Sequence, residues 1–225
     1  MKLSIIMVTW SPNKERMELL KETMESLQSS IDIPYELIVI DNGPKEQTEY
    51  LKTLKIDKHI INDINKGIGY GWNQGYEASE GEFISLIDND LLFAKDWAKD
   101  CIELLEKHPD KKLIATAIAS VHHETSRCFL GRLGINYTWS RSATAGSVFR
   151  RTAVDDFGIW DLHPKPGAAW MPRLKEHGWK IISLTIPKIV HRGIIRSYDH
   201  VEMLKNGKWR KDWGIPDKGT GVESK

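Results

Sequence analysis

Short apolar runs, each followed by a segment with helical spacing, restrict this chain to a layered α/β fold. Leu3-Ser4-Ile5-Ile6-Met7-Val8-Thr9 is the first run. It lacks the alternation of a half-exposed strand, so it reads as a strand covered on both faces. Ser11-Pro12 ends it and opens a helix from about Asn13 to Ser29, with Met17, Leu20, Met24 and Leu27 on one side. Pro34 breaks the chain before a second buried strand, Glu36 to Ile40, which stops at the turn Asp41-Asn42-Gly43-Pro44. A short helix at Thr48 to Leu54, a strand at His59 to Asn62 and a helix near Trp72 to Ser79 follow. The strand Phe83 to Ile87, a helix at Lys95 to Lys107 and a strand at Leu113 to Ala119 complete the pattern. Such alternation predicts a Rossmann-like, mainly parallel sheet with helices on both faces.

The second half has a different texture. Val121 to Phe149 is polar, aromatic and turn-rich, which suggests β-ribbons or long loops; Gly167 to His177 reads as a helix and Lys180 to Ile186 as a strand. One domain over 1–191 is expected, with a polar tail at 192–225 for which a flexible lid and plain disorder both fit the composition.

A net charge of +1 in 225 residues gives no reason to expect nucleic acid or an acidic membrane as the main partner. Cys101 and Cys128 supply neither a disulfide framework nor a zinc site and fit a reducing compartment. No apolar run approaches the roughly 20 residues that span a bilayer. The apolar start, Leu3 to Val8, meets Lys14-Glu15-Arg16 too soon for a secretory signal. A cytoplasmic location is expected.

Chemistry concentrates where the strands end. Asp88-Asn89-Asp90 directly follows the strand Phe83-Ile87. Two carboxylates separated by one residue are costly to hold close without a counter-charge. Mg²⁺ or Mn²⁺, bound with phosphates, meets that need; a polar turn capping the next helix would put acids there too. Thr9-Trp10 and Asp41-Asn42 end two other strands, and in a parallel sheet all three ends converge on one crevice, where such folds bind ligands. Between them lies Asn65-Lys66-Gly67-Ile68-Gly69-Tyr70-Gly71-Trp72-Asn73-Gln74-Gly75. Its glycines would let backbone N–H groups approach a phosphate, with Lys66 as a positive charge. Neither the dinucleotide fingerprint nor the Walker spacing fits it.

The order Val8-Thr9-Trp10, Ile40-Asp41-Asn42-Gly43, Asn65 through Gly75 and Leu86 through Asp90 resembles glycosyltransferase family 2, the inverting enzymes of the GT-A fold. The resemblance is continuous over about the first 95 residues and patchy beyond. It implies a GT-A-type sheet with a nucleotide-sugar-binding half at 1–95 and an acceptor-side β-ribbon and helix region at 96–191. It implies that Thr9, Trp10 and Asp41 surround the base and ribose, that Lys66 and Asn73 line the donor site, and that Asn89 lies near the ribose. Asp88 and Asp90 would form the family's Asp-x-Asp metal element, with His191 completing the metal site for Mn²⁺ or Mg²⁺.

Ala145 to Arg151 and Phe157 to Asp161 are similar to the acceptor-side segment, and Arg173 to Trp179 to the helix end after the family's Glu-Asp catalytic motif. Where Glu-Asp would stand, this chain has Lys165-Pro166-Gly167-Ala168-Ala169. Because it matches the family's aspartate after the Gly-x-x stretch, Asp161 is by this resemblance the first candidate for the base that deprotonates the acceptor, with His163 and Asp156 in reserve; a turn or helix cap is the plain alternative for Asp161. The expected reaction moves a sugar from a nucleoside-diphosphate donor, UDP or dTDP by family habit, to an acceptor such as a cell-surface polysaccharide precursor. Trp139, Trp160, Trp170, Trp209 and Trp213 are candidates both for sugar-stacking faces and for core packing. A nucleotide-sugar-binding homologue without transfer activity is the main alternative. A sugar nucleotidyltransferase fits less well, because Trp10-Ser11-Pro12-Asn13 supplies no glycine loop after the first strand.

Overall fold

The computed structural model describes residues 2–118, 123–130, 135–140, 146–160, 166–184 and 188–192. The described residues all belong to one compact unit, 1–192. β1 (Leu3–Thr9) is buried along its whole length. Leu3, Ile5 and Met7 point into one apolar cluster, Ile6 and Val8 into another on the opposite face. A strand that feeds two cores needs an unbroken apolar run, and that is what its sequence carries.

β1 is flanked in parallel by β2 (Tyr35–Asp41) and β4 (Phe83–Ile87), and β3 (Lys58–Ile61) extends β2 in parallel. β9 (Ser147–Arg150) then inserts antiparallel between β4 and β6 (Leu113–Thr116). β10 (Lys180–Leu184) pairs parallel with β6, and the antiparallel ribbon of β7 (His123–Leu130) and β8 (Ile135–Ser140) closes that side. The nine-stranded order is β3-β2-β1-β4-β9-β6-β10-β8-β7.

The helices divide between the faces. α1 (Lys14–Ser30) and α4 (Trp97–Lys107) cover one cluster. In α1 the buried Met17, Leu20, Met24 and Leu27 recur at helical spacing, and Asn13 caps the start by accepting the Arg16 N–H at 3.0 Å. α3 (Ile68–Ala78), α5 (Thr152–Phe157) and α6 (Pro166–Glu176) cover the other face. α2 (Lys45–Leu51) starts directly after Pro44, its N-cap, rather than at Thr48.

α3 begins four residues before the expected Trp72 because Gly67, at φ +82°, turns the chain into it. Gly71 and Gly75 then lay α3 directly on β1. A Cβ at Gly75 would stand 2.2 Å from Ile6 Cγ2, and one at Gly71 would stand 2.7 Å from Val8 Cγ2. These two glycines serve helix-on-sheet packing, a use that the reading of the segment as a phosphate cradle did not include.

A small second sheet was not legible from periodicity. β5 (Leu91–Phe93) pairs antiparallel with β11 (Ile189–His191), placing His191 opposite Leu91. Three-residue strands carry too few residues to show a period.

Candidate functional site

β1, β2 and β4 run parallel and in register, so Thr9, Asp41 and the Asp88-Asn89-Asp90 turn come to one edge of the sheet. The Asn89 side chain ties this edge together, its Nδ2 donating to Thr9 Oγ1 and Ser11 Oγ at 3.1 Å each. Trp10 is half-buried beside them. The expected convergence of the three strand ends is therefore a feature of the fold.

Asp41 is the anchor of the β2 end. Its buried carboxylate accepts from the Gly43 N–H at 2.9 Å, Thr48 Oγ1 at 2.7 Å and the Gln47 side-chain amide, with His59 Nε2 at 3.1 Å. Four partners occupy both oxygens, which fixes the turn after β2 against α2. Beside it, Asn62 Nδ2 donates to Asn42 Oδ1 at 2.8 Å and to Gln74 Oε1 at 2.9 Å, and Gln74 Nε2 returns a bond to Asn62 Oδ1 at 3.1 Å. This amide chain joins β2, the end of β3 and α3. Polar residues scattered over thirty positions of sequence give no local sign of such a network; only the topology brings them together.

Lys66 is exposed, with Nζ 4.9 Å from the centroid of the Tyr70 ring one turn on. Asn73 faces the other way along α3. Its Nδ2 donates to the Trp160 carbonyl at 2.9 Å and its Oδ1 accepts the Trp160 N–H at 3.0 Å. Both ends of the amide thus clamp the main chain just before Asp161. Asp161 and His163 themselves lie outside the described residues.

Asp88 is half-buried and Asp90 buried. Asp90 Oδ2 lies 3.2 Å from Arg16 Nη1 in the first turn of α1. The Asp90 carbonyl accepts the Arg192 N–H at 2.8 Å, so the end of β11 is fastened to this turn and the His191 backbone runs beside it. No group of three carboxylate, histidine or cysteine side chains comes together among the described residues, and the His191 side chain lies outside them. The described part of the predicted metal set is the Asp88–Asp90 pair. Its chemistry suits a hard divalent cation: carboxylate oxygens at a strand end, one already drawing a cationic partner from α1.

Asp156, a reserve candidate for the base, is committed elsewhere. Lys112 Nζ at 2.8 Å and Trp179 Nε1 at 2.8 Å hold its carboxylate, with His177 farther off, and lower its pKa to about 2. So weak a base cannot take a proton from a hydroxyl near neutral pH. A depressed pKa stabilises the fold above the unfolded value of about 3.9, and the contribution disappears as pH falls through about 2. Asp156→Asn is therefore expected to lower Tm at pH 7 and to lose that deficit near pH 2, which paired melting curves at the two pH values will read.

Trp160 and Trp170 resolve toward packing. They are buried, 5.3 Å apart between ring centroids, in an aromatic cluster with Phe149, Phe157 and Trp72. Trp209 and Trp213 lie outside the described residues, as does the side chain of Trp139.

The sequence profile of glycosyl transferase family 2 matches residues 4–158, which include the ends of β1, β2, β3 and β4. The chain belongs to glycosyl transferase family 2. Among its relatives, a glucosyl-dolichyl phosphate glucuronosyltransferase of Haloferax volcanii is 32% identical over 114 residues, 49% of this chain and 36% of that protein. The uncharacterized glycosyltransferase YwdF of Bacillus subtilis is 26% identical over 172 residues, 72% of this chain and 62% of that protein. The chain thus spans less than two thirds of either relative. Among solved structures, S. aureus TarS 1-349 superposes with a TM-score of 0.67 at 16% identity, over 86% of this chain and 61% of that one. GalNAc-T7, solved with UDP, GalNAc and Mn²⁺, gives a TM-score of 0.67 at 14% identity, over 84% of this chain and 43% of that one. At these identities the likeness establishes the GT-A fold of the family. Among the described residues no helix is long and apolar enough to cross a membrane.

Proposed function

We propose that this family 2 chain is a metal-assisted, inverting glycosyltransferase that moves a sugar from a nucleoside diphosphate to an acceptor hydroxyl. One observation carries the reading: three parallel strands end at one edge, where Asn89 cross-links the Asp88–Asp90 turn to Thr9 and Ser11. In this reading 1–95 forms the donor half and 96–191 the acceptor side, with 192–225 as a tail, in a protein of the cytoplasm.

Asp88 and Asp90, with His191, would hold Mn²⁺ or Mg²⁺, whose charge stabilises the departing diphosphate. Thr9 and Trp10 would border the base and ribose, with Asp41 holding the turn that shapes that border. Lys66, exposed at the start of α3, adds positive charge on the donor side. Asn73 acts through the main chain, fixing Trp160 and hence the start of the segment that carries Asp161. Asp161 would take the acceptor proton on the face of the sugar opposite the leaving group. A uridine donor is favoured because TarS was also solved with UDP-GlcNAc. A saccharide acceptor, such as a cell-surface polysaccharide precursor, is in keeping with the relative named for a glucosyl-dolichyl phosphate.

Asp161→Asn is expected to lower turnover with acceptor present by about 10²-fold, the usual weight of a positioned base. Hydrolysis of the donor by water should change less. Equal losses in both reactions would assign the base to another residue.

A second reading has its own support. α6 starts at Pro166, and Pro166-Gly167 at its head brings no carboxylate to the place where the resemblance leads one to expect the family's Glu-Asp. A chain that binds nucleotide sugar without transferring it would look the same there. A thermal-shift panel of nucleoside diphosphates and their sugars, with and without Mn²⁺, tests binding, because a ligand of the folded state raises Tm by mass action. Release of free nucleoside diphosphate then separates transfer from binding. UDP with Mn²⁺ is expected to stabilise the protein, and no response to any nucleotide would end both readings.

A further inference from the structure

Arg16 stands where a cation in an α-helix is least at ease, in the first turn of α1, against the positive end of the helix dipole. Its Nη1 lies 3.2 Å from Asp90 Oδ2, and the Asp90 side chain is only 9% exposed. We infer that Arg16 is a built-in competitor for the metal: it neutralises Asp90 while no divalent ion is bound and must withdraw before one is, so it sets the metal concentration the site requires. The inference rests on the metal-assisted reading above and adds a residue that neither the motif nor the family resemblance singled out.

The geometry explains both halves of this exchange. A divalent ion coordinates a carboxylate oxygen at about 2.0–2.2 Å, and a guanidinium at 3.2 Å from that same oxygen occupies part of the space and repels the incoming charge. Withdrawal is nevertheless easy. The contact is a single N–H rather than a bidentate fork, and the Arg16 side chain is 36% exposed at the rim of α1, so the guanidinium can swing into water. The neighbouring positive charge, Arg192, is engaged with Glu22 of α1 at 3.2 Å and does not replace Arg16 in that role.

The test titrates Mn²⁺ into the full chain without nucleotide, following the free-ion electron paramagnetic resonance signal, for wild type, Arg16→Gln and Arg16→Lys. Removing a partly exposed charge is expected to tighten Mn²⁺ binding about five- to tenfold in Arg16→Gln. Arg16→Lys, which keeps the charge on a shorter head, should fall between the two. Arg16→Gln should also melt slightly lower than wild type in chelator and recover when Mn²⁺ saturates it. Affinity in Arg16→Gln equal to or weaker than wild type, with Mn²⁺ still binding, overturns the role of Arg16 and leaves the metal reading standing. If no variant binds Mn²⁺ while UDP still raises Tm, the metal reading and the inference fall together.

Discussion

Replacing Asp90 by alanine is expected to lower sugar-donor turnover by about 10²–10³-fold, the scale on which the loss of one transition-state charge stabiliser is felt. The carboxylate is more enclosed than that of Asp88 and already attracts a cation. Its removal would leave the proposed metal site with Asp88 and His191 alone. The fold should tolerate the change, since the Arg16 head that loses its partner is partly exposed and such a pair contributes at most about 1 kcal/mol. Nucleoside diphosphate release with excess Mn²⁺, read beside a far-ultraviolet dichroism spectrum, checks both halves. A mutant that turns over like wild type would remove Asp90 from the chemistry. A mutant that unfolds would make it a structural residue.

The second large effect concerns the scaffold. Gly75→Ala should destabilise the protein although alanine is the better helix former by about 1 kcal/mol. Its new methyl would meet Ile6 Cγ2 at 2.2 Å, inside a strand that feeds both cores. Overpacking of that kind costs about 1–3 kcal/mol, and at this chain length each kcal/mol lowers Tm by about 2–4 °C. Because α3 also carries Asn73 and Gln74, the displacement should reach the Trp160 main chain and the amide chain to Asn62. Combining Gly75→Ala with Ile6→Ala opens the space again, and the two losses should then add to less than their sum. Strict additivity in melting experiments would place the cause elsewhere.

The first half of this fold was readable because its central strands, β1, β2 and β4, are buried on both faces. A run such as Leu37-Ile38-Val39-Ile40 leaves no other assignment, and Asp88-Asn89-Asp90 follows its strand with no gap. The glycine segment was legible as a special place but not as to purpose. Counting glycines shows close approach, and only the three-dimensional neighbour, Ile6 or Val8, tells what is approached. Arg16, Gln47 and Asn62 escaped notice for a related reason. A polar residue on a helix or at a strand end is ordinary in sequence, and 74 positions separate Arg16 from Asp90. The antiparallel strand Ser147–Arg150 sat at the end of a stretch read as ribbons or loops, since its pairing on both sides is set by topology rather than by local pattern.

In the proposed site Asp88 and Asp90 grip a cation, which in turn grips the donor's diphosphate. Crystals soaked with MnCl₂ and UDP, measured at the manganese absorption edge, test it most directly. One anomalous peak is expected within bonding distance of an oxygen of Asp88 or Asp90 and of the diphosphate. A well-ordered nucleotide at this edge with no manganese between its phosphates and these carboxylates would contradict it.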